Sequence, residues 1–536
     1  MAPGTRPGAH PARLSHPLDG QAGSNLASLL GVDIGTSGVR CVAIDEEGKV
    51  LAAADEPCLL QSPRPGWSEQ EPEDWWQATR NVISRTADEI SGDAAAIGLA
   101  GQMHGSVFLD RNDAVIRPAL LWNDQRTAAQ CEAISEIVGA DRIKEITGNP
   151  AITGFQAPKI LWLKESEPDS YSRVASVLLP KDFVRLRLTG IHATDVSDAS
   201  GTLLLDLRQR AWSSAILDAL DIPSQWMPSV FESPRTAGTI SARASEELGV
   251  PAGIPVAAGA GDNAAAAVGM GVVAPGLACC SIGTSGVLFA HADTLQPDPS
   301  GRVHTFCHAV PGSYHHMGVV LSAGGALRWW RDVAGIEFDE LMELAKTTPP
   351  GAEGLLFLPY LTGERTPHLD PRARAAFVGL TTRHGLAHMT RAVVEGVAFS
   401  LRDSLEIMAG LGIDVREIRG TGGGARSPFW RQILADVLRR PIVRTAVDEG
   451  PAYGAALLAG VAAGMFRDVE QACGVVKVSP ETIDPDTVRA RQYDDYYGVY
   501  RGLYSATMPA MHELSELATP ERAPSSRADP PPDGRR

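Results

Sequence analysis

Residues 34–39 read Ile-Gly-Thr-Ser-Gly-Val, and residues 282–287 read the same six letters. The copies stand 248 positions apart, close to half of a 536-residue chain. Each follows an apolar run, Ser28 to Val32 and Leu277 to Cys280, and each leads into another, Arg40 to Ile44 and Leu288 to Ala290. A strand, a Gly-rich turn and a second strand make a β-hairpin with Gly-Thr-Ser-Gly at its tip. Glycine lets the backbone come close to a ligand, and successive N–H groups in such a turn form a concave anion site. Two such hairpins half a protein apart predict two similar domains, each offering a phosphate-binding tip to a shared cleft.

The remaining pattern is α/β. Helical segments alternate with short apolar strands. Glu71-Pro72-Glu73-Asp74 opens a helix, with Pro at its first position and acids in its first turn. A strand over Ala95–Ala100 ends in Gly101-Gln102-Met103-His104-Gly105. In the second half a helix is predicted from about Leu386 to Gly410, then a strand ending in Gly420-Thr421-Gly422-Gly423-Gly424. Ser427 can cap, and Pro428 start, a helix through Leu438 that Pro441 stops. The run Tyr453–Phe466 is too short to span a bilayer and reads as a buried helix, and the run Val250–Cys280 carries too many Pro, Gly and polar residues to span.

Charge narrows the function. Lys plus Arg number 48 against 64 Asp plus Glu, a net −16, which argues against sequence-independent nucleic-acid binding. The seven cysteines are odd in number and contain no CxxC, so a disulfide framework is not expected and a reducing cytoplasm fits. His304-x3-His308 with Cys307 is read as packed imidazoles rather than a metal site, since no second ligand pair stands at a usable spacing. The Pro-, Gly- and His-rich first two dozen residues are not a secretory signal, and both ends read as disordered tails.

The segments GVDIGTSGVR, PGWSEQEPEDWW, AGQMHGSVFLD, LLWNDQR, LLPKDFVRLRLTG, AGAGDNAAAAVGMG, CSIGTSGVLFA, FLPYLTGERTPHLDP and TGGGARSPFWRQILADVL resemble the FGGY family of carbohydrate kinases, from about Leu29 to about Tyr504. QMHG and GDNAA point within it to the subgroup that phosphorylates D-xylulose. The resemblance implies an α/β fold of two actin-like (ribonuclease H-like) ATPase domains with a central cleft. It places an N-terminal tail at 1–27, a sugar-binding domain at 28–273, a nucleotide-binding domain at 274–505 and a mostly disordered tail at 506–536. The implied reaction moves the γ-phosphoryl of MgATP to a sugar hydroxyl. The implied partners are a small sugar, D-xylulose, and ATP, with no nucleic acid and no membrane; a homodimer is compatible with the family.

Phosphoryl transfer needs an oriented hydroxyl, a proton acceptor, a metal and anion cradles. Asp262, among small residues in Gly261-Asp262-Asn263, is the candidate base, acting near its ordinary pKa; the alternative is an Asp that caps a helix starting at Asn263 or Ala264. Asp33, at the end of the first strand, is the candidate Mg²⁺ ligand through water. Thr36 and Ser37 are expected to face the transferring phosphate, and Gly283, Thr284 and Ser285 the other side of the phosphate chain. Gly422, Gly423, Gly424, Ala425 and Ser427 resemble the adenosine-side loop, and Gly324 a position against the nucleotide. Sugar recognition falls to Met103, His104, Asp262 and Asn263, with Gln102 and the Trp122-Asn123-Asp124 turn as second choices. His104 and Asn263 stand where glycerol kinases carry other residues.

The chain departs from the subgroup pattern at Arg40, Gln125 and the Ala-Gly-Gly before Leu327. The departures bear on the sugar more than on the reaction. Rival readings are another family kinase, acting on ribulose, gluconate, fuculose or a polyol, a non-catalytic sugar sensor, or a chaperone-like ATPase.

Overall fold

A computed structural model describes residues 27–518 apart from Ser91 and Asp448. The tail readings for 1–26 and 519–536 lie outside the described residues.

The duplication is visible in the sheets. In the first, strands Ser28–Ile34, Gly38–Ile44 and Val50–Pro57 form an antiparallel meander, and Ser28–Ile34 pairs in parallel with Ala94–Gly101 on its other side. The second repeats this arrangement: Leu277–Ile282, Gly286–Ala292 and Tyr314–Val320 are antiparallel, and Leu277–Ile282 pairs in parallel with Glu417–Thr421. Each sheet has seven strands. In both copies the hairpin loop joins the central strand to its antiparallel neighbour, so both Gly-Thr-Ser tips sit at the edge where the parallel strands end.

Local signals are obeyed. The first long helix runs Pro72–Glu89 with Pro in its first turn and Glu73 and Asp74 beside it, favourable placements for the helix dipole. The expected helix over 386–410 is Leu386–Gly410. Ser427 Oγ accepts the Trp430 N–H, and the helix is Pro428–Leu438. All seven cysteines are free.

The lobes are not separable beads. Helix Gly450–Ala462, late in the chain, lies on the first sheet and on helix Asp262–Gly269, and its Ala and Leu side chains share one core with Leu29, Val42, Ala96 and Val268. A Cβ on Gly31 would stand 1.9 Å from the Ala452 carbonyl oxygen, one on Gly98 1.9 Å from that of Ala455, and one on Gly454 1.8 Å from that of Ala265. Backbone touches backbone at these three points, so only glycine fits. This explains the apolar run read as a buried helix, which begins three residues earlier than Tyr453.

Two expectations need correction or detail. The last helix is Thr487–Leu517, so the boundary at 505 cuts through it and residues 506–517 belong to the folded part. Tyr493, Tyr497, Tyr500 and Met511 fasten that helix to the second-lobe core. His304 and His308 are buried on separate partners, Asn149 Oδ1 at 2.8 Å and the Val272 carbonyl at 3.1 Å.

The three-glycine contact makes a direct prediction. Gly454→Ala is expected to destabilise the protein by at least ~3 kcal/mol, because a carbonyl oxygen cannot move aside as a side chain would. Gly410→Ala, where the added methyl meets nothing within 4 Å, is expected to be neutral or slightly stabilising. Denaturant midpoints of the two variants measure the difference.

Candidate active site

Three parallel strands bring the first-lobe groups together. Asp33 is in register with Ala100, and Ala100 with Ala260; Ile34 matches Gly101, and Gly101 matches Gly261. The residues beyond these three C-terminal ends therefore meet at one edge, the place where parallel sheets hold ligands. They are the hairpin tip Gly35–Ser37, the turn Gln102-Met103-His104, and Asp262.

Asp262 opens helix Asp262–Gly269. Its Oδ1 accepts the Asn263 backbone N–H at 2.7 Å and Asn263 Nδ2 at 2.9 Å. The capping and catalytic readings thus fall on one residue: one oxygen is tied to the helix start, and Oδ2 keeps no partner among the described residues. Burial pushes the carboxyl up to about 6 against those two bonds, a departure from the ordinary value expected above. Asn263 holds the base in place through the same bonds.

Asp33 Oδ1 is buried and has no hydrogen-bond partner. Burial, then the nearby Asp262 charge, push the Asp33 carboxyl up to about 7, with Arg40 pulling the other way. Arg40 itself is spoken for: it grips Asp55 at 2.7 Å and Glu449 at the start of the helix from the second half. Two desolvated carboxylates without a neutralising partner form a site that a cation would relieve. Among the described residues no group of three or more acidic, imidazole or thiol side chains is arranged to hold a metal ion; a hard cation that keeps its waters needs only one or two carboxylates.

The tip of the first hairpin is wired differently from expectation. The Thr36 hydroxyl donates to Gln102 Oε1 at 2.9 Å and accepts from Trp122 Nε1 at 3.0 Å. Gln102 in turn donates to Gln70 Oε1 at 2.9 Å, and Gln70 holds the Thr36 carbonyl at 2.8 Å. With that hydroxyl proton committed, what Thr36 can offer a phosphate is its backbone N–H; the Ser37 hydroxyl has no partner among the described residues and can still donate. Gln102 and Trp122, second choices for the sugar, instead shape this tip.

His104 has φ of 69°, a strained left-handed conformation for a residue with a side chain, and such strain concentrates at functional sites. Nδ1 lies 2.5 Å from the Gly201 carbonyl oxygen, an acceptor only, so Nδ1 carries the proton and Nε2 is left as an acceptor. Burial, with the charges of Lys159 and Arg365, lowers its pKa to about 3, so the ring is neutral. A Cβ on Gly201 would stand 2.6 Å from His104 Nδ1 and 2.9 Å from Met103 Cε, and one on Gly261 2.8 Å from Met103 Cγ. Met103 and His104 are therefore seated in slots that glycines leave.

The second lobe assembles its own groups. The Gly324 and Gly325 amides donate to the carbonyls of Gly283 and Thr284 at 2.8 and 2.9 Å. A Cβ on Gly422 would meet the Ile282 carbonyl at 2.7 Å, and one on Gly424 the Ile282 side chain at 2.4 Å. Gly283, Thr284, Gly324 and the Gly422–Gly424 turn thus lie together at the second hairpin.

Sequence reading missed the supports. Lys159, fully buried, donates to the carbonyls of His104 at 2.7 Å and Gly154 at 2.6 Å. Behind Asp262, Arg185 holds the carbonyls of Ala257 and Ala258 at 2.7 and 2.5 Å, and Ser197 Oγ accepts the Gly261 N–H at 3.2 Å. Asp195 fixes Ser197, and Lys181 lies 2.7 Å from Asp182 and 2.9 Å from Asp195. The only signal was the unusual density of charge in the apolar segment LLPKDFVRLRLTG, without a partner to read it against.

Comparison with known proteins agrees with this geometry. The N-terminal domain of the FGGY family of carbohydrate kinases matches residues 28–269, and its C-terminal domain matches residues 278–463. A xylulose kinase of Escherichia coli is 42% identical over 485 residues, covering 90% of this chain and 99% of the relative. The crystal structure of a xylulose kinase from Brucella ovis, 41% identical, superposes with a TM-score of 0.85 over 91% of this chain and all of that one. A gluconate kinase from Lactobacillus acidophilus, 27% identical, superposes at 0.88 over 91% of this chain and all of that one. With both domains matched and the duplicated sheets in place, the chain belongs to the FGGY family of carbohydrate kinases.

Proposed function

We propose that this chain is an ATP-dependent sugar kinase that transfers the γ-phosphoryl of MgATP to the 5-hydroxyl of D-xylulose, giving D-xylulose 5-phosphate and ADP. The observation that carries the chemistry is the pair of unneutralised carboxylates, Asp33 and Asp262, at one strand edge beside a glycine hairpin. The choice of sugar rests on the similarity to xylulose kinases over nine-tenths of the chain.

Asp262 is the base. Its free Oδ2 takes the proton of the attacking hydroxyl as the new O–P bond forms. The bond from the γ-phosphorus to the bridging oxygen breaks, and ADP leaves with that electron pair. Asp33 would hold the Mg²⁺ of the nucleotide through water, and that ion would supply charge neutralisation for the phosphates. The backbone N–H groups of Thr36 and Ser37 and the Gly283-Thr284 tip cradle the phosphate chain, and Gly324, Gly423, Gly424 and Ser427 line the adenosine side. Met103, His104 and Asn263 position the sugar. Closure of the lobes excludes water, which competes for the phosphoryl group.

A coupled ADP-release assay over ketoses, polyols and aldonates tests the substrate; a clear preference for something other than D-xylulose refutes it. Asp262→Ala is expected to bind sugar and nucleotide but lose at least ~10³-fold in kcat; near-normal turnover removes the assignment. In the wild type, kcat/KM is expected to fall as pH drops below about 6, where the Asp262 carboxyl takes up its proton.

Asp33→Asn separates function from stability. A carboxyl whose folded pKa is raised above its unfolded value costs the fold stability as pH rises from the unfolded value, and the cost is complete above the folded value, about 7 here. At pH 8 the variant is therefore expected to be more stable than the nucleotide-free wild type, by on the order of 2 kcal/mol, while its activity is lost. Thermal melts with and without MgATP read both effects.

A further inference from the structure

The second lobe carries a cation that the fold does not use. Arg365 lies in the segment Gly363-Glu364-Arg365-Thr366-Pro367 and is mostly withdrawn from solvent, yet its guanidinium makes no hydrogen bond or ion pair among the described residues. The backbone around it is pinned hard. Glu364 Oε1 accepts the Arg365 N–H at 2.7 Å and the Leu321 N–H at 2.9 Å. The Thr366 N–H donates to the Val319 carbonyl at 3.0 Å, and the Thr366 hydroxyl to the Arg302 carbonyl at 2.8 Å. These bonds hold the segment against Arg302, just before strand His304–Cys307, and against the end of strand Tyr314–Val320. There His304 stacks on Phe306 with centroids 5.5 Å apart, and Phe306 lies 6.0 Å from the His104 ring. The Arg365 charge is felt by both imidazoles and helps hold them neutral.

A half-buried guanidinium that gives up part of its water without gaining a partner among the described residues costs free energy. It is a donor only, with a rigid fork of N–H groups. Within electrostatic reach of it, His104 Nε2 is an acceptor, because Nδ1–H is spent on Gly201. A donor fork and a lone pair in one neighbourhood match a ligand that presents an acceptor next to a donor. An α-hydroxyketone does so: its carbonyl oxygen only accepts, and its neighbouring hydroxyl can donate. A polyol offers the fork a hydroxyl whose proton must turn away. A carboxylate satisfies the fork but sets its second oxygen against the His104 lone pair.

We propose that Arg365 is a specificity residue that reads the carbonyl of the open-chain ketose, with His104 Nε2 accepting the adjacent hydroxyl. The inference rests on the ketose-kinase reading above and adds the group that separates ketose from polyol and from aldonate. Because Arg365 comes from the second lobe and His104 from the first, a ketose bound this way also ties the two lobes together.

The test is kcat/KM for D-xylulose, xylitol and D-gluconate with the wild type, Arg365→Met and Arg365→Lys, together with KM for ATP. Arg365 holds no other side chain, so both variants are expected to fold, which thermal melts check; Lys keeps the charge and loses the fork. The wild type is expected to prefer D-xylulose. Arg365→Met is expected to lose about 100-fold on D-xylulose, mainly in KM, while xylitol turnover and the KM for ATP stay within about threefold, so that the ketose-to-polyol ratio collapses. Arg365→Lys is expected to fall between, and it carries the same comparison if the Met variant does not fold. A wild-type preference for gluconate or xylitol overturns the ketose reading itself. A wild type that prefers D-xylulose, with variants that keep its ketose-to-polyol ratio, overturns only the role of Arg365.

Discussion

The arrangement of this protein depends on backbone meeting backbone at three glycines. Gly31 and Gly98 lie on neighbouring strands of the first sheet, and Gly454 on the helix from the second half that covers them. Without side chains at Gly31 and Gly98 the α-helix sits closer to the sheet than packed side chains allow, and without one at Gly454 it sits against the backbone of helix Asp262–Gly269. The same helix touches Asp262–Gly269, the helix that begins with the proposed base. The position of a catalytic carboxylate is thus tied to the contact that joins the two halves.

Around that contact the electrostatics divide by role. The buried cations that support the site are bonded: Lys159 to two carbonyls, Arg185 to two more, Lys181 among Asp182, Asp195 and Asp198. The acids around Lys181 keep oxygens without a hydrogen bond but have its charge beside them. One oxygen of Asp33, one of Asp262, and the Arg365 guanidinium have no bonded partner among the described residues, and these are the groups whose partners are proposed to arrive with the substrates.

Much of this was legible in the sequence. An exact six-residue repeat flanked by apolar runs can hardly be anything but a duplicated hairpin, and helices with Pro, Ser and acidic caps declare their starts. Asp33, Asp262 and the His104 turn were readable because each follows a strand. What local pattern does not carry is long-range partnership. Thr36 is bonded to residues 66 and 86 positions away, so nothing beside it in the chain shows that its hydroxyl is taken. The raised Asp262 pKa depends on burial that only the assembled lobes provide. Arg365 sits in a quoted motif, but its lack of a partner is a property of the fold. The end of the last helix was missed because Ala506–Leu517 mixes polar and apolar residues, and its attachments, Met511 in the core and His512 on Asp370, reach partners far away in the chain.

The late helix also sets a timetable for synthesis. Roughly 180 residues separate Gly269 from Gly450. At ordinary translation rates the glycine-bared face of the first sheet waits roughly 10–40 s for its cover to leave the ribosome. During that interval the nascent chain displays an apolar ledge shaped for one helix only. Until then the core that Leu29, Val42 and Ala96 share with that helix is incomplete, and shielding of the ledge matters to the chain as much as stability does.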